Sequence, residues 1–310
     1  AALASREALF DDHCYRWVYG DSDGLPGLVI DRFGDVIVVQ VSNAGIELLL
    51  EALLAAINEL LPELNILLKN DGKMRAIEGL DEYVRVAQGD VPKLVPLKEN
   101  GVSFLVPVWD GQKTGWFYDH RLNRRRVQKL SAGKRVLDIF SYIGGWGIQA
   151  AAAGAKEVVC VDASASALDL VHQQAQLNGV ADKVHSLKGD AFAAMKQLHE
   201  DGERFDMVII DPPAFIARRK DIKAGELAYQ RANQLAMRLL TPEGILVSAS
   251  CSMHLERTRL TQLLQEACRK NGRNGQVLEQ GGQGGDHPIH PAIPETDYLK
   301  SVILRTWYED

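Results

Sequence analysis

The sequence lacks the features that would assign it to a secreted or membrane-bound class of protein. Its 310 residues include four cysteines, none in a C-x-x-C pair, so the spacing favours neither a zinc site nor a disulfide framework. It has no apolar run of the roughly 18 residues that a membrane span needs, and no charged-then-apolar leader typical of secretion. We therefore expect a cytoplasmic protein with no membrane segment and no metal site.

An excess of positive charge is also missing. The formal net charge is -6 at pH 7, which argues against a nucleic-acid-binding face over the whole chain but leaves local basic clusters open. With 46% hydrophobic and 25% charged residues, the composition is that of an ordinary globular protein. The length is sufficient for two domains.

The stretch from Lys134 to Ala153 lacks the G-x-G-x-x-G spacing of a dinucleotide-binding turn, which disfavours a dehydrogenase. It has instead an alternating strand that includes Asp138, a turn with three glycines that include Gly144, and a run of small residues typical of a helix. This pattern predicts the first βα unit of a nucleotide-binding α/β domain. An acid before the turn suits a ligand with an ammonium or sulfonium charge, such as S-adenosylmethionine.

The chain divides by pattern into two parts. Residues 1–97 predict a small α+β domain, and residues 98–310 predict a leading β-hairpin followed by strand and helix alternation, hence a mostly parallel sheet whose last strand is antiparallel. The predicted strands are 28–31, 36–41, 66–69, 83–87, 94–97, 102–106, 136–140, 157–161, 183–187, 205–210, 244–248, 277–279 and 300–306. The predicted helices are 46–61, 121–129, 148–153, 165–178, 191–199, 225–240 and 255–269.

Acidic residues follow the predicted parallel strands, where ligands of such sheets bind. Asp162 lies about twenty residues beyond the glycine turn, the position from which a carboxylate takes both hydroxyls of a ribose. Asp190 follows the next strand and can bind an adenine amino group, with Ala191 or Phe192 against the ring. Each acid could alternatively serve only as a helix N-cap.

Two further strand ends predict methyl transfer to a pyrimidine. The loop Asp211-Pro212-Pro213-Ala214-Phe215 is stiffened by its prolines and presents a carboxylate and an aromatic ring. Cys251 follows the next strand, which should lie beside it. A thiolate that adds to C6 makes C5 nucleophilic, so Cys251 is the predicted nucleophile and Asp211 the group that binds or protonates N3. Cys160 and Cys268 are interpreted as inert buried cysteines.

The chain contains the motifs Gly111-Gln112-Lys113-Thr114-Gly115, Asp119-x-Arg121-x-Asn123-Arg124, Leu137-Asp138-x-Phe140-Ser141-Tyr142-x-Gly144-Gly145, Asp211-Pro212-Pro213-x-Phe215, Ser250-Cys251-Ser252, Asp286-His287-Pro288 and Tyr298-Leu299-Lys300. Together these motifs resemble one family, the RlmI-type cytosine-C5 methyltransferases of large-subunit ribosomal RNA. The resemblance covers about residue 9 to the C-terminus and implies a class I methyltransferase fold of the Rossmann-like kind. Departures are Ile143 and Trp146, where the family tends to have Thr and Phe.

The resemblance implies an enzyme that uses S-adenosylmethionine and a covalent cysteine adduct. Family members usually carry an N-terminal PUA domain, which we expect this chain to lack. The catalytic residues are then Cys251 and Asp211, and the substrate-binding residues are Pro212, Pro213, Phe215, Arg218 and Arg219. The implied cofactor-binding residues are Gln112, Thr114, Asp138, Phe140, Tyr142, Gly144, Asp162, Ala163, Asp190, Ala191 and Asp211.

The expected partner is ribosomal RNA that is single-stranded or locally opened, because C6 of a stacked cytosine cannot be reached. Arg218, Arg219, Lys220 and Lys223 form a basic patch that suits phosphates, and a solvated face is the alternative. The same choice applies to the basic helix at 121–129. A homodimer, a purine (guanine) RNA methyltransferase of the same fold, and an inactive S-adenosylmethionine- and RNA-binding assembly factor are left open.

Overall fold

The computed structural model describes residues 1–308, which form two compact units. The first contains residues 1–121 and 283–296, and the second contains residues 122–282 together with 297 onward. The sequence predicts a domain boundary between residues 97 and 98. That boundary stays a prediction, and the compact units divide later because the hairpin that follows residue 93 packs on strands of the first sheet.

The first unit is built on a five-stranded sheet in the order β1-β2-β3-β4-β5, with only the β3–β4 pair parallel. A separate antiparallel hairpin, β6 and β7, follows. Its core consists mainly of apolar side chains of the sheet and of the α3 helix. The strands are β1 (Cys14–Tyr19), β2 (Leu28–Phe33), β3 (Val36–Val41), β4 (Asn65–Asn70), β5 (Tyr83–Gln88), β6 (Leu94–Glu99) and β7 (Val102–Pro107), and the helices are α1 (Ala2–Leu9), α2 (Ala44–Leu48), α3 (Leu50–Leu60) and α4 (Met74–Ile77).

One predicted element of this unit is wrong. The apolar stripe predicts a single helix over residues 46–61, but the chain forms α2 and α3 with a break at Leu49. Glu47 in α2 accepts hydrogen bonds from Arg75 at 2.9 Å and from the hydroxyl of Tyr83 at 3.0 Å. These contacts, distant in sequence, fix the direction of the first turn, so Leu49 is 58% exposed rather than part of the stripe.

The second unit contains a seven-stranded sheet in the order β10-β9-β8-β11-β12-β14-β13. The five strands β8 to β12 are parallel, and β14 is antiparallel to both of its neighbours. The strands are β8 (Arg135–Ile139), β9 (Glu157–Asp162), β10 (Val184–Lys188), β11 (Phe205–Ile210), β12 (Leu240–Ser250), β13 (Arg273–Gly281) and β14 (Lys300–Tyr308). The helices are α5 (Arg121–Ser131, which opens with the last residue of the first unit), α6 (Gly147–Ala152), α7 (Ala165–Leu177), α8 (Ala191–Glu200), α9 (Ile222–Arg238) and α10 (Arg257–Lys270).

The predicted α/β class is therefore confirmed, with a mostly parallel Rossmann-like sheet and one antiparallel strand. Alternating apolar strands and amphipathic helices bury a core between the sheet and α8, α9 and α10. Predicted boundaries differ where pairing across the sheet overrides local pattern. Leu240 is predicted in a helix but lies in β12 opposite Phe205, and Gln280 is predicted in a loop but pairs with Val302.

Within residues 1–308, no helix has the length and apolar character that crossing a membrane requires.

Candidate active site

The carboxyl ends of the five parallel strands bring the predicted acidic residues and Cys251 to one edge of the second unit. Because β11 lies between β8 and β12, Asp211 follows a strand that has the Asp138 strand on one side and the Cys251 strand on the other. Ile210 pairs with Ile139 in β8 and with Ser248 in β12. The prediction that the strands preceding Asp211 and Cys251 are neighbours is therefore confirmed.

Asp138 is the most deeply buried acid at this edge. Its side chain is fully buried, and its Oδ2 atom accepts a hydrogen bond from the Gly147 amide at 2.9 Å. Its Oδ1 atom has no hydrogen-bond partner among residues 1–308. Burial, reinforced by the negative charges of Asp211 and Asp162, raises the pKa of Asp138 to about 8. An unpartnered buried oxygen of this kind fits a cationic ligand group.

The glycine turn is shaped by packing inside the unit. Gly144 has φ +85°, and a Cβ there would lie 2.9 Å from Cγ1 of Ile148. A Cβ on Gly147 would lie 2.6 Å from Sγ of Cys160. These contacts explain the two glycines without a ligand. Phe140 and Tyr142 also have positive φ, at +65° and +49°, a conformation that non-glycine residues seldom adopt and that is concentrated at functional sites.

The predicted ribose acid and adenine acid both make local backbone contacts. Asp162 is half-buried and accepts hydrogen bonds from the amides of Tyr142 and Ser164, each at 2.9 Å. Asp190 is exposed and caps α8, since its Oδ1 atom accepts from the Ala193 amide at 2.9 Å. Asp190 therefore serves as the N-cap of α8. The cap uses only its Oδ1 atom and does not involve Oδ2. Ala163 is exposed and Ala191 is buried.

Trp146 and Asp211 form a contact that the sequence did not predict. The indole Nε1 of Trp146 donates a hydrogen bond to Oδ2 of Asp211 at 3.0 Å, and the Trp146 side chain is buried. The guanidinium of Arg124 lies 5.9 Å from the centre of the Trp146 ring. A phenylalanine, which the family resemblance favours at this position, has no N–H to donate. The departure at Trp146 thus gives Asp211 a donor of its own.

A network of buried hydroxyl groups holds the segment around Cys251. The hydroxyl of Ser250 donates to Tyr229 at 2.8 Å, and Tyr229 and Ser252 share a hydrogen bond of 2.8 Å. The Ser252 hydroxyl also accepts from the Ile216 amide at 3.1 Å, which connects this segment to the loop that begins at Asp211. Both serines are buried, whereas Cys251 between them is half-buried and belongs to no disulfide among residues 1–308. The network therefore presents the cysteine and fixes the loop beside it.

The double-proline loop places an aromatic ring next to this network. Phe215 packs against Tyr229 with ring centres 4.8 Å apart, and against Phe140 and Phe192 at 6.2 Å and 6.1 Å. Pro212 is buried and Pro213 is exposed. These rings are tilted to one another by 40° to 71° and form an apolar cluster at the strand ends.

The other cysteines have surroundings that suppress thiolate chemistry. Burial raises the pKa of Cys14 and Cys268, and raises the pKa of Cys160 well above its ordinary value. All three side chains are buried. The interpretation of Cys160 and Cys268 as buried structural residues is confirmed, and Cys251 is the half-buried member of the four.

Two predicted cofactor residues, Gln112 and Thr114, belong to the first unit. Gln112 is exposed, whereas Thr114 is fully buried and its hydroxyl donates to Oδ2 of Asp31 at 2.5 Å. Asp31 also holds Arg16 through both of its oxygens at 2.8 Å. The hydroxyl proton of Thr114 is thus used inside its own unit, and its role with a cofactor stays a prediction.

The basic segments differ in how far their charges are available. Arg218 and Arg219 are exposed as predicted, although Nε of Arg218 donates to Asp221 at 3.0 Å. In α5 the prediction of one basic face is wrong for Arg121 and Arg124, which are 5% and 3% exposed. Their three-residue spacing puts them on the inward stripe of the helix. Arg125 and Lys129 on the same helix are exposed, and Arg126 pairs with Glu279.

The hydroxyl network leads to a first prediction. In a Tyr229→Phe variant the buried hydroxyls of Ser250 and Ser252 lose their shared partner, so we expect the free energy of unfolding to fall by about 1–3 kcal/mol and methyl transfer to slow. Denaturant unfolding and an activity assay measure both effects. Tyr308→Phe is the matched control, because Tyr308 is 48% exposed, and it should change neither. Equal behaviour of the two variants would contradict the role of the network.

Comparison with known proteins agrees with this geometry. Residues 81–283 match the family of S-adenosylmethionine-dependent methyltransferases. Ribosomal RNA large subunit methyltransferase I of Aeromonas salmonicida is 41% identical over 293 residues, which cover 94% of this chain and 74% of that protein. The protein of the same name from Klebsiella pneumoniae is 37% identical over 311 residues, covering 98% of this chain and 76% of that protein.

Solved structures share the fold at lower identity. A protein of Streptococcus mutans described as a SAM-dependent methyltransferase is 21% identical with a TM-score of 0.84, covering 98% of this chain and 79% of that one. The tRNA m1G37 methyltransferase of M. jannaschii is 17% identical with a TM-score of 0.66, covering 91% of this chain and 77% of that one. At these identities the likeness concerns the fold.

The fold, the acidic strand ends and the family match together define a class I S-adenosylmethionine-dependent methyltransferase. Within that class, the chain belongs to the ribosomal RNA large subunit methyltransferase I family. The sequence-based predictions of the family, the fold, the enzyme class and the cofactor are confirmed. The roles of individual residues stay predictions.

Sequence reasoning missed Tyr229 and the Trp146 contact. Tyr229 lies inside α9 with no motif around it, so only the three-dimensional packing reveals it. Trp146 departs from the family pattern, and the signal that could reveal its contact is the indole N–H, which a buried tryptophan usually directs at an acceptor.

Proposed function

We propose that this methyltransferase modifies C5 of a cytosine in large-subunit ribosomal RNA through a covalent adduct with Cys251. The observation that carries the proposal is the half-buried Cys251 side chain, in no disulfide, between two buried serines, of which Ser252 is joined through Ile216 to the loop of Asp211. The relatives at 37–41% identity bear the name ribosomal RNA large subunit methyltransferase I. A purine methyl transfer has no need of a cysteine at this position.

In the proposed mechanism, S-adenosylmethionine supplies the methyl group. The residues proposed to bind it lie at the carboxyl ends of the parallel strands. The unpartnered Oδ1 of Asp138 suits a cationic group of that ligand, while Asp162 and Asp190 have carboxylate lone pairs available beyond their backbone contacts. Each oxygen of a carboxylate accepts about two hydrogen bonds. Gln112, Thr114, Phe140, Tyr142, Gly144, Ala163 and Ala191 complete the proposed set.

The chain's own residues carry the acceptor chemistry. Cys251 adds to C6 as a thiolate, which makes C5 of the ring nucleophilic enough to accept a methyl group. Asp211, held by Trp146, binds or protonates N3 and contacts the exocyclic amine. A base then takes the C5 proton, the electron pair of that C–H bond re-forms the C5–C6 double bond, and the C6–S bond breaks to release the Cys251 thiolate. Phe215, between Pro213 and the aromatic cluster, holds the face of the base.

The base must leave its stack to reach this edge, so we propose that the substrate is single-stranded or locally opened RNA in a reducing cytoplasm. Exposed Arg218 and Arg219 lie three and four residues beyond Phe215 and are proposed to contact the phosphates that flank the flipped cytosine.

The test is methylation of ribosomal RNA lacking this modification by the purified chain, followed by nucleoside analysis. We expect 5-methylcytidine at one position of the large-subunit RNA. A methylated purine would support the alternative guanine methyltransferase, and retained RNA and S-adenosylmethionine binding without transfer would support an inactive assembly factor.

A further inference from the structure

A buried lysine lies beside the proposed nucleophile. Lys300 opens β14, is 4% exposed, and pairs in register with Ser250, the residue before Cys251. Its Nζ atom donates hydrogen bonds to the carbonyl oxygens of Ser252 at 2.6 Å and Tyr298 at 2.7 Å. A buried amine must be satisfied in this way. Two main-chain carbonyls, one of them adjacent to the cysteine, therefore hold the amine in place.

We propose that Lys300 is the proton acceptor and counter-charge of the Cys251 thiol. This inference rests on the proposed cysteine mechanism and adds to it the group that generates the thiolate. The S–H bond of Cys251 breaks, its proton forms a third N–H bond on Lys300, and the thiolate remains beside an ammonium. When the adduct collapses at the end of the reaction, the thiolate can take the same proton back.

The hydrogen-bond count at Nζ suits this exchange. A neutral amine has two N–H donors and one lone pair, and an ammonium has three N–H donors. The carbonyls of Ser252 and Tyr298 take two donors in either state. The third position is a lone pair before proton transfer and a donor afterwards. The amine can thus change its charge without losing either carbonyl.

The surroundings of Lys300 bring the pKa of its amine close to the ordinary pKa of a thiol. The pKa of Lys300 is lowered to about 8, mainly by burial and also by the charge of Arg257, while the charges of Asp297 and Cys251 oppose this shift. A cysteine thiol in water has a pKa of about 8.5, so proton transfer between groups of this kind is nearly balanced. Burial also raises the pKa of Tyr229, and the charge of Cys251 adds to that shift, so the tyrosine stays a neutral hydrogen-bonding group near the thiol.

Alkylation of Cys251 by iodoacetamide across pH 5.5–10 tests the proposal without any methyl transfer, with Cys251 followed by peptide mass spectrometry. Only the thiolate reacts, and the other three cysteines are buried. We expect the midpoint of the Lys300→Gln profile to rise by about one pH unit relative to the native chain, which slows alkylation at pH 7 roughly tenfold. Lys300→Arg should restore a low midpoint, because arginine keeps the positive charge.

Lys196→Met, a change at an exposed lysine on α8, is the control and should leave the midpoint unchanged. Coincident profiles for the native chain and a folded Lys300→Gln variant would overturn the proposal. If that variant does not fold, the Lys300→Arg profile decides, since a permanent cation should lower the midpoint below the native one and an unchanged midpoint rejects the coupling. The outcome is separable from the proposed function, because a chain that alkylates as expected but yields no 5-methylcytidine keeps this inference and loses the other.

Discussion

Replacing Cys251 with alanine is expected to reduce methyl transfer to RNA by about 10³-fold or more, the scale of loss when a catalytic nucleophile is removed. The reason is that C5 of cytosine becomes nucleophilic only after addition at C6. Binding of S-adenosylmethionine should persist, because the acids that we assign to it lie on other strands. Tritium transfer to RNA measures the first effect, and the thermal shift on adding cofactor measures the second.

A covalent trap sharpens this prediction. RNA with 5-fluorocytidine at the target position has a fluorine where the proton must leave, so the adduct with the native chain should accumulate and survive denaturing electrophoresis. The Cys251→Ala variant should form none. Cys268→Ala is the matched control, since Cys268 is buried on α10 and should transfer methyl groups normally. Full activity of Cys251→Ala would instead favour purine chemistry.

Much of the second unit could be predicted because its local and long-range preferences agree. Most of the parallel strands are short and largely apolar, and α7 to α10 each bury an apolar face, so order along the chain determines the layers. Asp138, Asp162, Asp190 and Asp211 follow from the same logic, since parallel strands end at one edge. Such a site can be predicted from the sequence because the local pattern and the topology agree.

The parts that could not be predicted depend on contacts between distant residues. The break at Leu49 follows from the hydrogen bonds of Glu47 with Arg75 and Tyr83. The hydrophobic periodicity of residues 46–61 cannot predict contacts with these distant residues. The same limit applies to α5, where the charge of Arg124 predicts exposure while its position on the helix buries it. Charge patterns thus predict a surface only where the helix face is already known.

The hydroxyl network shows a third kind of limit. The motif Ser250-Cys251-Ser252 draws attention to its cysteine, yet in the structure the serines are the buried members and Tyr229 is their common partner. Lys300 reaches the same segment from β14. Tyr229 and Lys300 are 71 residues apart in the sequence, and they meet at this segment because α9 packs on β12 and β14 pairs with β12.

Substituting Asp138 with asparagine is expected to weaken S-adenosylmethionine binding about 10- to 100-fold, because a hydrogen bond to a charged group contributes about 1.5–3 kcal/mol. Isothermal titration calorimetry measures the change. Asp201→Asn is the control, since Asp201 is exposed at the end of α8, and it should bind the cofactor as the native chain does. Equal affinity of Asp138→Asn and Asp201→Asn for the cofactor would contradict the assignment of Asp138 to the cofactor site.

The pH dependence gives the same residue a second, independent signature. Without ligand the pKa of Asp138 is about 8, so its carboxyl is mostly protonated at pH 6 and must ionise to hold a cation. The α-amino group of the ligand loses its proton with a pKa of about 7.7–8.0, so affinity should pass through a maximum near pH 8 and lie about tenfold lower at pH 6. Asp138→Asn should lose the acid limb and keep the alkaline one.

The stability of the ligand-free protein should change in the opposite sense. Because burial raises the pKa of Asp138 above its unfolded value, the favourable contribution of the neutral carboxyl is complete below about pH 4 and is lost as the pH rises through 8. The native chain should therefore lose thermal stability between pH 5 and 8 more steeply than Asp138→Asn, and the difference in slope should disappear above about pH 8. If Asp138→Asn weakens cofactor binding and also stabilises the ligand-free protein at pH 9, the buried charge of Asp138 serves ligand binding and not stability. A variant that is less stable throughout this range would instead indicate a structural role for the carboxyl.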